Sequence, residues 1–165
     1  MDIVWDELCG GTANREQLLR CLVRLLAAAL LGGVLGLERQ QEHKAAGMRT
    51  HMLVSLAAAL FTAVPLLGGV SADHVTRVIQ GIATGIGFVG GGVILKLTQQ
   101  QEVRGLTTAA AIWMAAAIGV AAGSGSYLSA ACATLLAWFI LSGLGRLERL
   151  FPPKPPHDHT SGRSI

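Results

Sequence analysis

Two clusters of polar side chains interrupt an otherwise apolar sequence, and these are the residues with which the chain could do chemistry. One comprises Glu38, Arg39, Glu42, His43, Lys44, Arg49, Thr50 and His51, and the other Lys96, Glu102, Arg104, Thr107 and Thr108. Both mix carboxylates with guanidinium groups, a combination suited to bidentate ion pairs or to receiving an anion. Neither offers a nucleophile beside a base. The sequence has no His-Glu-x-x-His, no Gly-x-x-x-x-Gly-Lys and no Gly-x-Ser-x-Gly, so the chain is not expected to be an enzyme. No metal site and no cofactor are expected either. Cys9, Cys21 and Cys132 show no Cys-x-x-Cys spacing, and the latter two are expected to be buried, inert thiols. His157 and His159 flank Asp158, a weak chelate in a proline-rich tail.

Arg49 and Arg104 each stand where a helix is expected to begin. A cation at a helix N-terminus is opposed by the macrodipole, by about 0.3–1 kcal/mol at exposed sites. Glu38 or Glu102 is therefore expected to compensate Arg49, and both arginines are expected to join an ordered network with Glu38, Glu102 being a further candidate, that ties the first, second and fourth helices together. Thr107 or Thr108 is expected to cap the fourth helix. The binding or structural cluster so defined is Glu38, Arg39, Arg49, Thr50, Arg104, Thr107 and Thr108.

A second group is made of glycines: Gly81, Gly85, Gly87, Gly90, Gly91 and Gly92. Gly85 to Gly90 fits G-x-G-x-x-G, but a dinucleotide site needs a preceding strand and an acid about 20 residues on. Here the motif lies inside an apolar run and position 105 is glycine. The spacing of Gly81 with Gly85, Gly87 with Gly91 and Gly32 with Gly36 instead predicts close packing of the first and third helices. The alternative is a break in the third helix that turns carbonyls toward an ion path. No carboxylate lies in the middle of any apolar run, so a carboxylate-lined cation path is not expected.

The elements that must carry these groups follow from composition. Of 165 residues, 52% are hydrophobic and 14% charged, against about 25% charged in soluble domains. Mean hydropathy is +0.52. A helix crosses a hydrocarbon layer of about 30 Å in about 20 residues. Five runs approach this: 18–37, 52–72, 75–97, 106–122 and 127–144. In lipid the backbone must bond within its own segment, which selects helix over strand. The expected fold is all-α, a bundle of about five transmembrane helices at 18–144, between an extracytoplasmic segment at 1–17 and a proline-rich, disordered cytoplasmic tail at 145–165. The first sixteen residues hold four acids and one arginine, the wrong charge for a signal peptide.

With the N-terminus outside, nine lysines and arginines lie inside and four outside, so the chain is expected to run N-out, C-in. Arg20 and Arg24 interrupt the first run and share a face; Arg24 is expected to snorkel or to pair with Asp73 or Glu16. The net charge of +3 points to no nucleic acid. The lipid bilayer is the first partner, and a homo-oligomer is a further option.

The blocks Gly36-Leu37-Glu38-Arg39-Gln40 and Ala46-Gly47-Met48-Arg49-Thr50-His51-Met52-Leu53-Val54 resemble the first block of the MgtC/SapB membrane proteins. Gly85 through Ile94 resembles their glycine-rich helix. Val103-Arg104-Gly105-Leu106-Thr107-Thr108-Ala109-Ala110, with Trp113 and Ala117-Ile118-Gly119, resembles the block that follows. The resemblance spans roughly 20–144. It implies a bacterial inner-membrane protein linked to growth in low magnesium and to survival inside macrophages. Its implied role is restraint of another membrane protein such as the ATP synthase, the alternative being a small magnesium channel or transporter. Virulence-associated members often carry a soluble domain after the last helix, whereas about twenty residues follow Leu144 here, so a short form is expected. Glu102 stands where an uncharged polar residue is expected.

Overall fold

The structure, a computed structural model, describes residues 15–98 and 105–144, with side chains described to residue 94 in the third helix. The expectations for the N-terminal segment before residue 15, for Glu102 and Arg104, and for the tail at 145–165 lie outside the described residues. Five helices follow one another: α1 (Arg15–Gln41), α2 (Met48–Leu67), α3 (Ala72–Thr98), α4 (Leu106–Gly123) and α5 (Tyr127–Phe139), the last continuing as a π-helical turn over Ile140–Leu144. Among the described residues there is no strand, and all five helices are long and apolar enough to cross a membrane.

Where each helix stops is set by local chemistry rather than by hydropathy. The second apolar run continues to residue 72, yet α2 ends at Leu67 because Gly69 adopts the left-handed conformation (φ 77°). Val70 then donates to the Pro65 carbonyl at 2.9 Å and Gly69 to Leu66 at 3.3 Å, which is a Schellman closure. Gly125 (φ 82°) ends α4 the same way, with Ser126 donating to Ala121. At the end of α1 the left-handed position is taken by His43 (φ 54°), and Lys44 donates to the Arg39 carbonyl at 3.0 Å. α2 starts four residues earlier than the apolar run suggests, since Arg49, Thr50 and His51 form its first turn.

The packing centre is α2, held between α1 and α4, with α5 against α1 and α4 and α3 packed chiefly on α4. Without a hydrophobic drive inside lipid, such contacts depend on close approach of backbones and on hydrogen bonds between helices. Gly32 and Gly36 supply the first approach. A Cβ at Gly32 would stand 2.7 Å from the His51 carbonyl oxygen and from Ser55 Cβ, and one at Gly36 would stand 2.6 Å from Met48 Cα. Gly119 and Gly123 supply the second, against the Ser55 carbonyl oxygen and, at 2.6 Å, that of Ala59. Ser55 thus sits where two glycine-faced helices close on α2, and its hydroxyl donates to the Ala28 carbonyl at 2.8 Å. Ala28, Leu35, Ala59, Ala115, Ile118 and Ala122 form the fully buried core around it.

Several expectations are corrected here. Gly32 and Gly36 pack on α2, not on the third helix. α3 runs unbroken through its six glycines, so no carbonyls are released by a helix break. Gly81, Gly85, Gly87, Gly91 and Gly92 have nothing within 4 Å of an added Cβ; Gly90 alone among the six makes a contact, at 3.4 Å to Ala109 Cβ on α4. Cys132 is exposed and Cys21 half-buried, because both lie on helix faces turned away from the core. Arg24 pairs with neither Asp73 nor Glu16: its Nη1 donates to the Gly123 carbonyl at 2.8 Å. That carbonyl is one of the unpaired acceptors at the α4 C-terminus, where the helix dipole favours a cation. Glu16 instead lies 3.8 Å from Arg20, at an exposed site.

Candidate functional site

The polar cluster forms where α1 ends and α2 begins. Glu38 and Arg39 occupy the last turns of α1, and both are buried, at 6% and 3% exposure. Arg39 grips the carboxylate with two donors, Nε to Oε2 and Nη2 to Oε1, the latter at 2.6 Å. Adjacent helical residues do not ordinarily face one another, but the long guanidinium arm curls back to its neighbour. Both carboxylate oxygens are therefore engaged by Arg39. Arg49 is exposed and is not the partner of Glu38, which corrects the expected Glu38–Arg49 tie. The physical reason is proximity. A guanidinium in the same helical turn reaches the carboxylate without ordering a second helix, whereas Arg49 opens α2 on its outer side. Because the pair lies within one helix, it neutralises a buried charge without clamping α1 to α2.

What joins the two helices at this level is different. The α2 N-cap is Gly47, which makes no side-chain cap, and the first free amide, Met48 N–H, donates to Gln40 Oε1 of α1 at 3.4 Å. The Gly47 carbonyl accepts the His51 amide at 3.3 Å and the His51 Nδ1 at 2.9 Å. Since a carbonyl only accepts, Nδ1 carries the hydrogen. His51 is wholly buried, and its Nε2 has no hydrogen-bond partner among the described residues.

The second cluster is only partly in view. Thr108 is buried and Thr107 exposed, and neither caps α4: the N-cap is Gly105 in the left-handed conformation (φ 93°), with no side-chain cap bond. Thr50 is half-buried beside Arg49. The structure thus brings Glu38, Arg39 and His51 together and leaves Arg49 and Thr107 on the surface. His51 and Ser55 carry more of the packing than the sequence reading assigned to them. The available signal was their four-residue spacing on one face of α2, opposite two glycine pairs of the same spacing, Gly32 with Gly36 and Gly119 with Gly123.

An open groove of about 520 Å³ lies between α2, α3 and α4. Its walls are Leu53, Val54, Ala57 and Phe61 of α2, Val78, Gly81, Ile82, Gly85, Ile86 and Val89 of α3, and Ala116 of α4. Gly81 and Gly85 therefore face an apolar trough. A magnesium ion takes oxygen ligands or keeps its waters, and such a wall offers it neither. The trough suits hydrocarbon. Among the described residues no three His, Cys, Asp or Glu side chains gather as a metal-binding group.

Comparison with known proteins extends this picture. The profile described as "MgtC family" matches residues 25–150. The protein SrpB of Synechococcus elongatus is 41% identical over 138 residues, which is 77% of this chain and 76% of that protein. YhiD of Escherichia coli, whose name proposes a magnesium transporter, is 45% identical over 113 residues, covering 64% of this chain and 52% of YhiD. The protein MgtC of Brucella abortus is 48% identical over 112 residues, covering 67% of this chain and 45% of MgtC. The chain thus spans about three quarters of SrpB but only about half of the other two. No solved structure matches.

Proposed function

The chain belongs to the MgtC family, and from that premise we propose that it is a non-enzymatic protein of the bacterial inner membrane that serves adaptation to low magnesium. It acts on ion or membrane-energy homeostasis by contact with another membrane protein, the ATP synthase being one such partner, and a role in virulence belongs to the same proposal. The name of YhiD supports the connection with magnesium. The observation that carries the regulatory reading is the close backbone packing of α1, α2 and α4 among the described residues. Backbones of α1, α2 and α4 close on one another at Gly32, Gly36, Gly119 and Gly123, and the groove beside them is lined by apolar groups. A conducting single copy would need a continuous polar path, and that packing leaves no room for one along the core. The chain is oriented N-out and C-in on the nine-to-four distribution of lysine and arginine.

A small cation channel is the second reading, favoured by the name of YhiD. Two measurements on the same protein separate them: growth of a deletion strain in low magnesium with the gene restored, and magnesium flux into liposomes holding the purified protein. Restored growth without flux supports the regulator. Saturable magnesium flux above empty liposomes replaces it with the channel.

A further inference from the structure

One face of α3 is built the wrong way round for a helix that meets lipid. At 100° per residue, Asp73, Arg77, Gln80, Thr84, Gly87 and Gly91 fall within an arc of roughly 80°. They alternate steps of four and three, the repeat of a left-handed helix seam. The opposite arc carries Val75, which is buried, and Val78, Ile82, Ile86 and Val89, which line the groove. The bundle therefore takes the apolar side of α3 and turns the polar and glycine side away. Asp73, Arg77, Gln80, Thr84 and Gly87 are exposed, and Gly87 and Gly91 have nothing within 4 Å of an added Cβ. Thr84 satisfies its hydroxyl on the Gln80 carbonyl at 2.9 Å, but the Gln80 amide, Asp73 and Arg77 have no partner among the described residues. Gln80 lies about 12 Å and Thr84 about 18 Å along the helix from Ala72, inside the hydrocarbon depth.

We propose that this seam is the contact between two copies of the chain, packed in parallel about a two-fold axis. The inference is independent of the function proposed above. Lipid is a poor occupant, since it offers the Gln80 amide no hydrogen bond and returns nothing for the helix stability that glycine gives up relative to alanine. A second copy answers each group on the seam, because the seam is complementary to itself. Asp73 and Arg77 stand one turn apart, so about the two-fold axis each Asp73 lies about 6 Å along the seam from the partner's Arg77, within reach of the long guanidinium side chain, and two ion pairs form. The Gln80 amide both donates and accepts, so it pairs with the partner's Gln80. Gly87 and Gly91 then let the two backbones close further along the seam, at a crossing angle of about +20°.

The test uses the full chain in native membranes, with Cys9, Cys21 and Cys132 replaced by serine. Single cysteines are placed on the seam (Gln80→Cys, Thr84→Cys, Gly87→Cys, Gly91→Cys) and on exposed faces of other helices (Leu60→Cys, Leu135→Cys), then oxidised with copper phenanthroline. Disulfide dimers are expected at the seam positions and not at the two controls. In the Thr84→Cys background, Asp73→Arg or Arg77→Asp alone should lower dimer yield about tenfold, the effect of losing one to two interhelical polar contacts. The two together should restore it. Absence of seam dimers, equal yield at the controls, or capture of a different protein at the seam overturns the proposal. Single charge reversals without effect, or a double reversal without rescue, overturn the two-fold register.

Discussion

Replacing Gly119 by alanine adds one methyl group where the sequence offers no warning of a clash. In the structure that Cβ would run into the Ser55 carbonyl oxygen and stand 2.9 Å from Ala58 Cβ, whereas ordinary contact begins at 3.4 Å. Because the closest atom met is backbone rather than the end of a flexible side chain, α2 and α4 must shift apart to admit it. Overpacking of this kind typically costs about 1–3 kcal/mol. Alanine returns about 1 kcal/mol through its better helix propensity. The net expectation is a loss of up to about 2 kcal/mol, a factor of up to roughly 30 in the folded-to-unfolded ratio. Gly85→Ala is the matched control. It carries the same propensity gain, and its Cβ meets nothing within 4 Å, so it should be neutral or stabilising. Both variants are unfolded by SDS titration in mixed micelles and followed by tryptophan fluorescence, with the parent alongside. Gly119→Ala should shift the midpoint down and Gly85→Ala should not. A Gly119→Ala midpoint at or above the parent, or a Gly85→Ala loss of the same size, refutes the placement of the tight contact between α2 and α4.

Three further outcomes are expected, two from the same geometry and one from the nine-to-four distribution of lysine and arginine. Glu38→Gln leaves the Arg39 guanidinium buried without a counter-charge, which should cost about 3–5 kcal/mol, while replacing both residues by leucine should recover most of the folded yield in detergent; a Glu38→Gln protein as stable as the parent would show the pair to be solvated. Arg24→Met removes the charge-assisted bond to the Gly123 carbonyl and should cost about 1.5–3 kcal/mol in the same titration, whereas Arg49→Ala, at an exposed site, should change stability by less than about 0.5 kcal/mol; equal effects at the two arginines would contradict this assignment. Reporter fusions after Glu7 and after Pro156 should signal outside and inside respectively, and a cytoplasmic signal from the first would reverse the topology.

Much of the fold was legible in the sequence because lipid makes the requirement one-dimensional. A helix must carry about 20 apolar residues whatever its neighbours, so five spans could be counted along the chain, and the blocks around Glu38, Gly85 and Leu106 pointed to the family. The same simplicity hides which faces meet. In water an apolar stripe marks the buried side, but in lipid both sides are apolar, and glycine pairs four apart look alike wherever they occur. Gly81 with Gly85 and Gly119 with Gly123 have the same spacing, yet the second pair alone touches another backbone. Arg24 could not be matched from sequence because its acceptor is a main-chain carbonyl, a group every residue owns. For Glu38, two arginines were available along the chain, and the tertiary arrangement left Arg49 outside while Arg39 took both oxygens. The polar seam of α3 could be written down from residue spacing alone. That it points away from the bundle was decided by packing, because α4 and α2 took the valine and isoleucine side and left the seam without a partner among the described residues.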